Sequence, residues 1–239
     1  MQRTQGKQKI IRKMDMNILV VGDIHNDVEN IMSYSDKISQ LSFDAIVCPG
    51  DFTDVGLRGF TPADIAKLVI AELKLFKRPI VAVPGNFDKE VLPVLEKEGV
   101  SIHGKGKVVG QVGFYGYGGA KTPFNTPLEP SEEELRMGLE KGYDAVKNAK
   151  WKVQVTHMPP ARTKMDMIYT GAHVGSEAIR KFIEEKKPAV AVSSHIHEGR
   201  GVDEILTTKL INAGRFPEGY CGIVSIDSQG VTAKIINLM

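Results

Sequence analysis

"ILVVGDIHND", residues 18–27, runs four apolar residues into a glycine and then sets an acid and an imidazole two positions apart. The uninterrupted apolar run is the pattern of a strand buried on both faces. Asp23 and His25 are costly to take out of water, so their place at the end of such a strand calls for a partner that offsets the cost. The same pattern recurs along the chain. "DAIVCPG" (44–50), "PIVAVPG" (79–85), "WKVQVTH" (151–157) and "PAVAVSSH" (188–195) all read as strands with a polar residue at or just past the end.

Helical spacing fills the intervals. "VENIMSYSDKISQL" (28–41) and "TPADIAKLVIAELKLF" (61–76) carry apolar residues at helical periods, and the second opens with Thr61 as cap, Pro62 in the first turn and Asp64 three past the cap. "KEVLPVLEKEG" (89–99) predicts a short helix. "SEEELRMGLEKGYDAVKNA" (131–149) opens on a Ser131–Glu134 capping box, and "GSEAIRKFIEEKK" (175–187) is a further helix. Strand and helix in alternation predict a parallel sheet with right-handed crossovers. The glycine-rich stretch 100–119 predicts a hairpin or meander, and 122–130 and 158–174 are loops. The tail holds short strands, "KLINAG", "YCGIVSID" and "VTAKIINLM", expected to be more antiparallel. The fold class expected is α/β: two mixed β-sheets packed face to face and flanked by helices, a four-layer α/β/β/α sandwich.

Of 239 residues, 42% are hydrophobic and 25% charged, and the net charge of +2 is too mild to argue by itself for nucleic acid or a membrane. No apolar run approaches the roughly 20 residues of a membrane span. Residues 1–15 are basic with no apolar signal core behind them, so they read as a leader rather than an added edge strand, with residues 16–239 forming one domain. Cys48 and Cys221 sit in apolar stretches as small core residues, which fits a reducing cytoplasm.

The polar strand ends form a set. Asp23 and His25, Asp51, Asn86, His157, and His195 with His197 follow five separate strands. In open α/β sheets that edge is where sites form. Gly22, Gly50 and Gly85, each just before a member of the set, are expected to turn the backbone there. Two acids, an amide oxygen and four imidazoles are too many donors for one four-coordinate ion, and suit two divalent cations sharing a carboxylate. Paired cations of this kind activate water against phosphate esters.

The motifs "GDIH" (22–25), "GD" (50–51), "GNFD" (85–88), His157 and "SHIH" (194–197) resemble, in order, those of the calcineurin-like metallophosphoesterase family. "GAHVGSEAIR" (171–180) is similar to the branch related to cyclic-nucleotide phosphodiesterases. The resemblance implies one metal held by Asp23, His25, Asp51 and His197, and a second held by Asp51, Asn86, His157 and His195, with Asp51 bridging. It implies manganese ahead of iron, zinc, nickel, cobalt or magnesium, a hydroxide bridging the two ions as nucleophile, and Asn86, Asp88 and His157 as the catalytic residues. The activity implied is phosphodiester hydrolysis of a small phosphoester or nucleotide. Phosphomonoester hydrolysis and a non-catalytic protein-binding scaffold are the alternatives, and nucleic acid is a less favoured partner.

Two positions depart from the family pattern. Phe87 stands where many members have a histidine that assists the leaving group, which puts acid catalysis in question and leaves Asp88 without its usual imidazole partner. Ser194 replaces a glycine and is expected only to tighten a turn. Phe87 reads equally as packing or as an apolar wall for an aromatic group. His103 and Trp151 read as structural. His173 reads as a loop-holding histidine, with a substitute acid as the rival reading. Arg162, Lys164 and Arg215 read as solvated cations rather than phosphate contacts. Substrate specificity is expected in loops 52–60, 119–130 and 158–173, which carry no readable code.

Overall fold

Along β1 (Met16–Val20) and the residue after it, Ile18 and Val20 turn to one face while Leu19 and Val21 turn to the other, and both faces are buried. A strand of this kind needs a packed layer on each side. The structure is a computed structural model and describes residues 16–54 and 59–239; the expected leader, 1–15, lies outside the described residues. After β1 come α1 (Val28–Ser33), α2 (Ser35–Ser39), β2 (Ala45–Cys48), α3 (Pro62–Lys74), β3 (Ile80–Ala82) and α4 (Leu92–Lys97). The second half holds β4 (Lys105–Val109), β5 (Val112–Tyr117), α5 (Glu132–Val146), β6 (Trp151–Thr156), α6 (Glu177–Lys186) and β7 (Val190–Ser193). It finishes with β8 (Gly201–Ile205), β9 (Thr208–Asn212), β10 (Tyr220–Asp227) and β11 (Gly230–Asn237).

The strands form two mixed sheets, ordered β11-β10-β1-β2-β3 and β4-β5-β6-β7-β9-β8. In the first, β1, β2 and β3 are parallel, while β10 and β11 add antiparallel at one edge. In the second, β5, β6, β7 and β9 are parallel, with β4 and β8 antiparallel at the edges. Val47, Val81, Val155, Val192 and Ile211 join Ile18 and Val20 in the layer between the sheets. On the outer face of the first sheet, Leu19 and Ile46 meet Ile31, Val69, Ile70 and Leu73 from α1 and α3. On the outer face of the second, Tyr115 and Leu210 meet Leu139, Ile179, Phe182 and Ile183 from α5 and α6. This is the expected four-layer sandwich.

The helix caps read from sequence are present. Thr61 with Asp64, and Ser131 with Glu134, form reciprocal capping boxes. Three details differ from expectation. The stretch 28–41 is two short helices, because Tyr34, at φ −92° and ψ 0°, breaks the run and lets both Ile31 and Ile38 reach the core. β8 went unread because it is an edge strand, buried only at Ile205. β9 runs parallel to β7 rather than belonging to an antiparallel tail. Among the described residues, no helix is long and apolar enough to cross a membrane.

α5 lies close on the β4–β5 hairpin because Gly138 has no side chain: a Cβ there would stand 1.9 Å from Tyr117 Cδ2. Alanine is the better helix former by about 1 kcal/mol, so propensity and packing oppose each other. Gly138→Ala is expected to destabilise the fold by about 1–3 kcal/mol, the usual cost of overpacking. Urea unfolding reads the sign, and a gain in stability would contradict this packing.

Candidate metal centre

The loops leaving β1, β2, β3, β6 and β7 deliver the whole polar set to one place, at the C-terminal ends of parallel strands from both sheets. Donor atoms of Asp23, His25 and His197 lie within 4.8 Å of one another, as do those of Asp51, His157 and His195. The clusters adjoin. His25 Nε2 is 3.9 Å from Asp51 Oδ2, and the His195 backbone N–H donates to Asp23 at 3.2 Å. Asn86 Oδ1 is 3.0 Å from His157 Nε2, which is 3.4 Å from Asp51 Oδ2. All seven residues singled out as ligands are therefore together, with Asp51 between the two groups.

The turns are made differently from the sequence reading. Gly50 does take a positive φ of 111°, but Gly22 and Gly85 do not. The candidate ligands carry the unusual backbone themselves: Asp23, His25, Asp51 and His195 have φ of 49°, 48°, 50° and 71°. Such conformations cost a non-glycine residue on the order of 1–3 kcal/mol each and persist only where surrounding contacts over-determine them. Here the loops after β1 and β2 are laced together, with Ile24 and His25 N–H both donating to Asp51 O at 2.8 and 3.0 Å. Gly85 serves by leaving room, since a Cβ on it would sit 1.9 Å from Asp51 Oδ1.

Asp88 holds the floor of the site. Its buried carboxylate accepts from Gly85 N, Phe52 N, Thr53 N and Thr53 Oγ1 at 2.7–3.1 Å, tying the loops after β2 and β3 together. Burial, and then the charge of Asp51, push its pKa up to about 6.

Electrostatics in the centre favour a cation. His157 is fully buried, and its Nδ1–H donates to Pro49 O at 2.9 Å, which turns Nε2 toward Asn86 Oδ1 and Asp51 Oδ2. Both are acceptors, so a protonated Nε2, or a cation beside it, fits that position. Burial lowers the pKa of His157, yet the charge and hydrogen bond of Asp51 outweigh it and raise it to about 9. Burial alone would raise Asp51, but His157, His25 and His195 around it hold it below the carboxylate range. Burial lowers His25, and lowers His195 to about 3 with the help of His157. The Nε2 atoms of His25 and His197 approach to 3.3 Å, two imidazole nitrogens converging beside carboxylates. A mixed set of imidazole, carboxylate and amide oxygen fits divalent transition metals in two adjoining sites.

A cavity of about 610 Å³ opens over this centre. His25, Asp51, Asn86, His195 and His197 line its base, and Phe87, Ile168, Tyr169 and Ile196 form apolar walls. Phe87 is thus a wall of the cavity. Lys121, Phe124 and Tyr169 went unrecognised in the sequence beyond their placement in the loops 119–130 and 158–173, where specificity was expected. The other histidines are structural: His103 stacks on Tyr117 at 3.9 Å and accepts from Gly118 N, and His173 Nδ1 contacts Asp166 Oδ1 at 2.8 Å. Arg162 pairs with Glu177, and none of Arg162, Lys164 or Arg215 is among the residues lining this cavity.

Residues 16–199 match the family profile of calcineurin-like phosphoesterases. The chain is 39% identical over 212 residues to the uncharacterized protein MJ1162 of Methanocaldococcus jannaschii, covering 86% of this chain and 90% of that one. Its fold is similar to the crystal structure of TT1561 of Thermus thermophilus, with a TM-score of 0.68, 17% identity and coverage of 94% and 99%. It is also similar to part of the NAD nucleotidase NadN of Haemophilus influenzae, with a TM-score of 0.52, 13% identity and coverage of 93% and 49%.

With a pKa of about 9, His157 carries a proton on Nε2 at pH 7 in the metal-free protein, and a metal taking that position must displace it. Manganese binding at pH 7 is therefore expected to release about one proton from this group, and to weaken as pH falls. Calorimetry in buffers of different ionisation enthalpy measures the release, and in His157→Ala that release disappears.

Proposed function

Because the chain belongs to the calcineurin-like phosphoesterase family, we propose that it is a metal-dependent phosphodiesterase acting on small phosphoesters, with manganese as its working ion and residues 16–239 as one catalytic domain. The observation that carries the reading is the convergence of both donor clusters under one apolar-walled cavity. Divalent cations held by Asp23, His25, Asp51 and His197, and by Asp51, Asn86, His157 and His195, would supply Lewis acidity, lowering the pKa of water and offsetting charge on phosphoryl oxygens.

The chain's own residues bind and orient. Asn86 lies on the cavity base, where its amide can position a phosphoryl oxygen, and the Pro49 carbonyl fixes the His157 ring. Asp88 was expected among the catalytic residues; buried and fully engaged with backbone N–H groups, we assign it the positioning of Asp51 and Asn86 instead. Phe87 offers no proton to a departing alkoxide. The walls favour a diester over a monoester. A diester carries one negative charge and two organic groups, which matches a cavity lined by Phe87, Ile168, Tyr169 and Ile196 with Lys121 on its rim better than a dianion would. A cytoplasmic setting accords with the buried free thiols of Cys48 and Cys221.

Parallel assays with manganese separate the diester reading from its monoester rival. Bis(p-nitrophenyl) phosphate is expected to give kcat/KM at least about tenfold above p-nitrophenyl phosphate, and an inverted preference would favour the monoesterase. With no acid at Phe87, rates should fall steeply as the leaving alcohol becomes less acidic, and a flat dependence would contradict this. Asp51→Ala is expected to cost roughly 10³-fold in kcat/KM, whereas a binding scaffold would show no hydrolysis to lose.

A further inference from the structure

Two large aromatic side chains stand almost fully in water at the mouth of the cavity: Phe124 is 81% exposed and Tyr169 is 93% exposed. Single exposed apolar residues are ordinary. These two differ because both line the cavity that holds the metal-centre residues, and because each rides on a braced loop. The loop bearing Phe124 folds around Glu129, whose carboxylate accepts from Thr122 Oγ1, Thr126 N and Thr126 Oγ1. It is anchored to the centre by Leu128 N–H donating to Asn86 O at 3.0 Å. The loop bearing Tyr169 is a small hairpin, with Ile168 N–H donating to Ala172 O and Gly171 N–H to Ile168 O. Its base folds around the buried carboxylate of Asp166, which accepts from Arg162 N, Thr163 N and Gly175 N and contacts His173 Nδ1. Separate polar hubs therefore brace the backbone of two loops whose rings stand in solvent at one cavity, where neither gains from the core. An aromatic ring left in water gains its packing energy only when another apolar group completes the contact, and a braced loop lowers the ordering cost of that contact.

We propose that Phe124 and Tyr169 are specificity-determining residues that take a planar aromatic substituent of the ester against their rings. The inference rests on the phosphodiesterase reading only in placing the phosphoryl group at the metal centre. A flat π-system gains from ring-to-ring contact beyond the area it buries, and a saturated ring of similar bulk does not. The substrate class is accordingly an aryl or nucleoside phosphodiester rather than an alkyl or lipid one.

The test uses methyl phenylphosphonate and methyl cyclohexylphosphonate, monoanions of similar bulk that differ in ring planarity and lack an activated leaving group. Their Kd values on the manganese-loaded protein are measured by calorimetry. The wild type is expected to prefer the phenyl compound by about tenfold. Phe124→Ala and Tyr169→Ala should each reduce that preference severalfold, and Tyr169→Phe should keep it. Both sites are exposed, so the variants should retain the wild-type thermal midpoint, which checks their folding. A wild-type ratio near one, or a ratio unchanged in both alanine variants, overturns the proposal. A preserved ring preference with no hydrolysis of any diester would overturn the phosphodiesterase reading while leaving the aromatic site standing.

Discussion

Asp51 keeps a negative charge at 2% exposure, in a place where a lone carboxylate would give up its charge rather than stay dissolved in protein. The surrounding structure makes that charge tolerable. His157 faces it from the second sheet and His25 from the loop after β1, and its α-carbon sits in a left-handed conformation that aims the side chain between two groups of donors. A buried anion ringed by nitrogen donors is stable when positive charge joins it. Part of that charge is the extra proton on His157, and the divalent metal proposed for this site would take its place.

The fold is a means of assembling this ring. Each sheet alone supplies only part of the donors: Asp23, His25, Asp51 and Asn86 follow strands of the first, and His157, His195 and His197 follow strands of the second. Packing the sheets face to face through Ile18, Val47, Val155 and Val192 brings the two C-terminal edges into register. The hydrophobic layer between the sheets thus sets the relative position of the metal-binding groups. Asp88 completes the arrangement from beneath, by binding the backbone of the loops that carry Asp51 and Asn86.

Much of this was legible in the sequence, for a physical reason. A short apolar run identifies a buried strand, and an acid or imidazole at its end is costly to bury; one such residue alone reads as a turn, but Asp23, His25, Asp51, Asn86, His157, His195 and His197 after five strands read together as a ligand set. Their convergence followed from the strand–helix alternation that makes strands parallel. What stayed hidden depended on three-dimensional contacts. Gly85 looked like a turn residue, but it is a space left for Asp51 Oδ1. Asp88 was placed among the catalytic residues by the resemblance of the GNFD motif, and its contacts to the backbone of Phe52 and Thr53, 36 and 35 positions away, appear only in the folded chain. β8 carries too few apolar residues to show a period. Phe124 and Tyr169 belong to loops with no periodicity, where only the folded chain shows that both reach the same cavity.

The central claim is that a pair of cations shares Asp51 beneath that cavity. Crystals grown with manganese, with anomalous scattering collected at the manganese edge, test it most directly. The account predicts two anomalous peaks, one on each donor cluster, with the Asp51 carboxylate between them. A single peak at full occupancy, or manganese bound away from Asp23 and His157, would contradict it.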